Sequence, residues 1–343
     1  MDLINSPEQL AGWLPIRVNW QGPEPLIDWC LVGDCRFTEP FFDHTIERLL
    51  QKPFNLMFRR LTSIDALELA ATRLPSLAPS GFIFHMSRCG STLVSRMLAS
   101  LPQNVVISEA STLDWMIRAN VRRPGITDEE RIDWIRWMVA SLAQKRDADG
   151  RHFFIKFDSW HTVYFDLIQR AFPDVPWIFL YRHPTEVLVS HSSQRGAGTI
   201  PGVVEHRIDG MSLQDAVNFP HEQYPAIVLA EICKAALKQS SNPNGMFVNY
   251  SKLPDFVSSG LLRHFRLDYS ADDISKMKAA ARYNAKNPAI EFASDIDEKQ
   301  REASAEIHSF SGQFLMPIYA ELEAVSKINA PADVSTTAPR SAQ

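Results

Sequence analysis

The chain has 343 residues, 45% of them hydrophobic, enough to bury one large core or two modest ones. Its formal net charge of -5 speaks against nucleic-acid binding or a broad anionic-membrane surface, both of which need an excess of cations. No apolar run reaches the length of a membrane span, and the N-terminus has neither the positive nor the apolar region of a signal peptide, so a cytoplasmic protein is expected.

Residues 1–75 are rich in aromatics: Trp13, Trp20 and Trp29, then Phe37, Phe41 and Phe42. Disordered tails lack so many, which predicts an ordered N-terminal module packed on the core. It holds a strand near Trp29–Val32 and helices near 43–51 and 64–73, the second with Ser63 as N-cap. From residue 76 onward, strand, loop and helix recur. Strand Phe82–Phe84 leads into a helix from Ser91, whose apolar face carries Leu93, Val94, Met97, Leu98 and Leu101. A short strand, Val105–Ile107, ends at Ser108 and Glu109. A long helix follows near 128–146, opened by the capping-box pair Thr127 and Glu130. Then come strand Phe153–Phe157, helix 161–172, strand Trp177–Tyr181 and a helix starting at Pro184. Residues 211–240 read as helix interrupted near Pro220 and Pro225, Met246–Tyr250 as a strand, and 271–283 and 296–325 as helices. The core domain is thus expected over 76–329, and the polar, proline-containing stretch 330–343 as a disordered tail.

This alternation predicts an α/β fold: a P-loop-like parallel sheet flanked by helices on both faces, with a small aromatic-rich N-terminal module. Ligands in such folds sit outside the carboxyl ends of the strands. The loop Arg88-Cys89-Gly90-Ser91-Thr92-Leu93 is the clearest candidate, since a loop opening a helix presents unpaired N–H groups and the positive end of the helix dipole. It is not a Walker loop, because no lysine precedes Ser91 or Thr92; its cation is Arg88. Polar residues also follow the other strands: Glu109, then Lys156 and Asp158, then Arg182 with Ser190 two turns into the next helix. An arginine at a strand end and a serine reaching back from the helix can hold a second phosphate. The four cysteines, Cys30, Cys35, Cys89 and Cys233, have neither CxxC spacing nor enough partners for a disulfide framework.

At these residues the chain resembles the sulfotransferases that use 3′-phosphoadenosine-5′-phosphosulfate (PAPS), over roughly residues 80–255 and closest in motif style to the bacterial and protein-tyrosine branches. The resemblance implies that Arg88, Cys89, Gly90, Ser91, Thr92 and Leu93 hold the 5′-phosphosulfate, and that Arg182 and Ser190 grip the 3′-phosphate. It implies in-line sulfuryl transfer to an acceptor hydroxyl, without a metal, with Arg88 and Lys156 stabilising charge on the leaving group and Glu109 as the base. Asp158 and then His161 follow as alternatives. Two features depart from the pattern: Cys89 replaces a small polar residue, and His183 stands where Asp or Asn follows the arginine. A basic C-terminal segment for the 3′-phosphate is not evident; Arg282 to Lys286 is the nearest substitute. Two rival readings are a P-loop kinase or NTPase, disfavoured by the missing lysine, and a noncatalytic nucleotide-binding interaction protein. The acceptor pocket is expected from loops 110–126 and 195–225 and from the N-terminal module.

Overall fold

The computed structural model describes residues 4, 6–20, 22, 24–204, 211–282 and 295–328. The tail 330–343 and most of the Arg282–Lys286 segment lie outside the described residues. Two sheets organise the chain. The first is antiparallel, in the order β1 (Trp13–Asn19), β2 (Leu26–Leu31), β3 (Arg60–Ser63). The second contains β4 (Pro79–His85), β5 (Asn104–Ser108), β6 (His152–Lys156), β7 (Trp177–Tyr181) and β8 (Gly245–Asn249). Its order is β5-β6-β4-β7-β8, and every pair is parallel.

All five core strands fall where their apolar runs predict, because strands buried on both faces must be continuously apolar. Below them lies a stack of rings: Phe84 is 4.6 Å from Phe157 and 4.2 Å from Phe165, and Phe165 is 4.6 Å from Trp177. The chain leaves β4 toward β5 and leaves β7 toward β8 on the other side. The strand order therefore reverses between β4 and β7, where a crevice opens at the carboxyl ends.

The N-terminal module is more sheet-like than its sequence predicts: one strand was expected and three form. It joins the α/β part through a continuous core running from Leu10 and Trp29 to the helix Asp128–Leu142. That helix has the predicted capping box but ends before 146. The reason is Gln144, whose Oε1 accepts from the Gly12 N–H at 2.5 Å while its Nε2 donates to the Leu10 carbonyl at 3.1 Å, drawing the chain out of the helix.

Other departures have similarly local causes. Pro220 breaks 211–240 into Leu213–Asn218 and Gln223–Leu237, but Pro225 does not, since it lies in the first turn, where its missing N–H costs nothing. Helix 161–172 starts as a 3-10 segment, Ser159–Tyr164, before Phe165–Ala171. The expected loop 110–126 contains the helices Ser111–Ile117 and Ala119–Arg122. The single helix expected over 296–325 is Ile296–Glu302, Ala305–Phe310, a π turn Ser311–Leu315 and Met316–Ile328; Ser304 interrupts it by capping the second piece.

Candidate active site

The four strand-end segments converge on one cavity of about 420 Å³ at the β4/β7 crevice, lined among others by Arg88, Gly90, Thr92, Glu109, Asp158 and Arg182. The loop after β4 is held in an unusual backbone shape: Ser87, Arg88 and Gly90 all have positive φ, at 80°, 52° and 85°. Such values cost a non-glycine residue of order 1–3 kcal/mol and persist only where surroundings impose them. At Gly90 a side chain would meet Leu253 at 2.8 Å and Tyr250 at 2.9 Å. The glycine is thus required by its φ and by the ring packed on it. Beyond it the helix Ser91–Ala99 begins, with its first-turn N–H groups at the cavity.

Two clusters of charge face this loop. The first lies on the β5 and β6 side. Lys156, fully buried, places its Nζ 2.7 Å from Glu109 Oε1, 3.4 Å from Thr92 Oγ1 and 5.0 Å from the centre of the Phe41 ring. His85 Nε2 stands 3.4 Å from the same Glu109 oxygen and 3.0 Å from the Phe157 carbonyl. The Ser87 N–H donates to His85 Nδ1 at 3.1 Å, which fixes the proton on Nε2. Burial pushes the Glu109 carboxyl up, but the Lys156 ammonium and the His85 contact outweigh it and hold the group at about 2.

Asp158 behaves oppositely. Burial and the nearby Glu109 and Asp114 carboxylates raise it well above the ordinary value, although Lys156 pulls the other way. Behind it, the Asp158 N–H donates to His161 Nδ1 at 3.3 Å, and His161 Nε2 donates to Asp114 at 2.7 Å. Asp114 also accepts from Trp160 at 2.8 Å and is clamped by Arg118 at 2.8 and 2.5 Å. His161 is therefore committed to a buried network behind the cavity. Asp114, Asp158 and His161 come close enough to hold a cation, yet the Arg118 guanidinium already neutralises Asp114.

The second cluster lies on the β7 side. Arg182 is buried, with Nε 2.6 Å from Glu186, Nη2 2.6 Å from Asp295 and its guanidinium 4.1 Å over the Tyr250 ring. Ser190 Oγ accepts from Arg88 Nε at 3.2 Å and from Lys299 Nζ at 3.3 Å. Arg88 and Lys299 thus meet at Ser190, and Arg182 is linked to Lys299 through their shared partner Asp295.

The structure brings together every strand-end residue that the sequence singled out, with two differences in detail. Arg88 points to Ser190 rather than to Thr92 and Lys156, so it joins the second cluster. Cys89 turns its thiol into the core, 3.1 Å from the Leu180 carbonyl, and burial pushes it up to about 12, leaving only its backbone for a ligand. Sequence reasoning missed Tyr250, Lys299, Trp160, His85 and Phe41. Tyr250 directly follows β8, so the rule that found the other strand ends also reaches it. Lys299 carries no such signal, since it returns from a helix far along the chain.

Residues 79–226 match the sequence model of the sulfotransferase family. The chain is similar in structure to sulfotransferase STF9 from Mycobacterium avium, at 11% identity and a TM-score of 0.40, over 73% of this chain and 77% of that one. It is similar to a sulfotransferase from Alicyclobacillus acidocaldarius at 14% identity and a TM-score of 0.37, over 73% and 96%. A third likeness is to retinol dehydratase in complex with retinol and PAP, at 14% identity and a TM-score of 0.31, over 82% and 92%. No curated protein matches the chain. The matched segment spans β4 to β7 and both charge clusters apart from Phe41, Tyr250, Asp295 and Lys299.

Proposed function

We propose that the protein is a sulfotransferase that takes its sulfuryl group from PAPS and passes it to an acceptor hydroxyl. The observation that carries the donor assignment is the second cluster, in which Arg88 and Lys299 meet at Ser190 and Arg182 joins them through Asp295, beside the loop Gly90–Thr92. One anion site at the loop and a second, cation-rich one beside it suit a nucleotide with phosphates at both the 5′ and 3′ positions. A cytoplasmic location is consistent with four free cysteines, three of them buried.

In the reaction we propose, the acceptor oxygen attacks sulfur and the bond from sulfur to the 5′-phosphate oxygen breaks in line. The acceptor's proton goes to a base, and PAP, the desulfated nucleotide, leaves with the electron pair. The loop N–H groups and Lys156 stabilise the charge that grows on the leaving oxygen. Lys156 sits between Glu109 and Thr92, so a small shift takes it from one to the other. That shift also removes the counterion that keeps Glu109 acidic, making Glu109 a better base as the leaving group develops charge. Asp158 is the second reading, favoured by its raised carboxyl in the same cavity wall. Phe41 and the segment 195–199, also on the wall, form the acceptor side.

The test is nucleotide selectivity. Calorimetry should show PAP binding far more tightly than adenosine 5′-phosphate, and ATP with magnesium should not match PAP. Arg182→Ala should erase most of the preference, on the order of tenfold to a hundredfold for a charge-assisted bond worth about 1.5–3 kcal/mol. Equal wild-type affinity for PAP and adenosine 5′-phosphate would remove the basis of the donor assignment.

A further inference from the structure

Residues 53–58 form a tip whose polarity is inverted. In the short helix Pro53–Met57 the inward residue is the polar one. Asn55 is buried, its Oδ1 accepting from the Leu31 N–H at 3.1 Å and its Nδ2 donating to the Leu31 and Leu49 carbonyls at 3.0 Å each. The outward residues are apolar: Leu56 is 68% exposed, Met57 75%, Phe58 54% and Phe54 46%. Phe54 rests on Trp13 with ring centres 6.0 Å apart, and Phe58 on Phe54 at 5.1 Å, so the tip is fixed to the sheet. A soluble surface rarely gathers so many large apolar side chains at one point unless something covers them.

The surrounding charge says what covers it. Between Glu47 and Asp65 the chain has no carboxylate and carries Arg48, Lys52, Arg59 and Arg60; Arg48 pairs with Glu39 and Arg59 with Asp28, so the rim's uncompensated charge among the described residues is that of Lys52 and Arg60. A second copy across a twofold axis would set this basic rim against itself, which like charges oppose. An exposed apolar tip with a cationic rim instead fits a surface that is apolar within and anionic at its face. We infer that residues 53–58 dock the protein on an anionic lipid bilayer, inserting Leu56, Met57 and Phe58 at the headgroup boundary. The negative charge of the whole chain does not prevent this, because at physiological salt charges act over about 8 Å, and with Arg48 and Arg59 paired to Glu39 and Asp28 the nearest uncompensated charges are Lys52 and Arg60. The docked tip also bears on the cavity. The helix Phe42–Leu50 connects it to Phe41 in the cavity wall, and nine residues of helix span roughly 13 Å.

Vesicle sedimentation of the full chain tests the inference without any assay of transfer. Binding to phosphatidylcholine vesicles should be weak, and adding phosphatidylglycerol should strengthen it in a salt-sensitive way. The double variant Leu56→Asp, Met57→Asp should abolish binding with an unchanged melting temperature, since both side chains are exposed. Lys52→Ala should weaken binding about fivefold, the contribution of one cation near the surface. No binding to either vesicle, undiminished binding of the double variant, or equal binding with and without phosphatidylglycerol would overturn the assignment. So would a concentration-dependent dimer in sedimentation velocity that the double variant abolishes.

Discussion

Glu109 and Asp158 follow neighbouring strands, yet they titrate in opposite directions. Glu109, held at about 2, is a carboxylate throughout the working range. If it is the base, the rate should show no acidic limb from its own titration near neutral pH, and Glu109→Gln should lose roughly a hundredfold to ten-thousandfold in turnover while keeping PAP affinity. Asp158, raised by burial, must first lose a proton. An acidic limb above the ordinary carboxylate range that vanishes in Asp158→Asn, with Glu109→Gln near wild-type, would assign the base to Asp158. The raised carboxyl has a second consequence, for stability. A group whose folded value lies above its unfolded one contributes stability that is full below the unfolded value and is lost as pH rises through the folded value. Asp158→Asn should therefore melt progressively higher than wild type as pH rises above the unfolded value of 3.8, and thermal unfolding at several pH values measures the gap. The positions of these residues were legible, because a polar residue after an apolar run marks a strand end. Their opposite titration was not, since it depends on His85 and Asp114, which reach them from other strands and helices.

The loop after β4 stores its information in the backbone. Gly90→Ala should cost about 1–3 kcal/mol in denaturant unfolding, part from the left-handed φ and part from contact with Leu253 and Tyr250. It should also weaken PAP binding, because relief of the contact moves the N–H groups that face the cavity. The sequence names this glycine readily, but not the strained Ser87 and Arg88 before it, whose side chains give no sign of positive φ. The N-terminal strands were hidden for different reasons. β1 contains Pro15, which argues against a strand, and the structure accommodates it at an irregularity between Pro15 and Arg17. β3 has four residues and forms only because β2 offers an edge to pair with.

At the scale of the whole molecule, local alternation was enough for the α/β core, since each buried strand announces itself. What local pattern cannot give is the return of the C-terminal helices to the site. Asp295 and Lys299 lie more than a hundred residues beyond Arg182, yet both sit on the cluster around it. Asp295 is 36% exposed in its side chain while Glu186, the other carboxylate on Arg182, is only 5% exposed. An arriving phosphate can displace the first far more easily than the second. If the nucleotide binds there as proposed, the protein carries its own counterion at that site, and binding is an ion exchange rather than the filling of a bare positive hole. A simple anion gains little by replacing one oxyanion with another. Only a ligand anchored at a second point, at the loop after β4, has energy left over for the exchange. Inorganic sulfate should accordingly inhibit the wild type poorly, and Asp295→Asn should tighten that inhibition by about tenfold, the order expected when one charge-assisted partner is removed. The exchanger, and not the number of cations, would then be what lets the proposed transfer proceed amid free sulfate and phosphate.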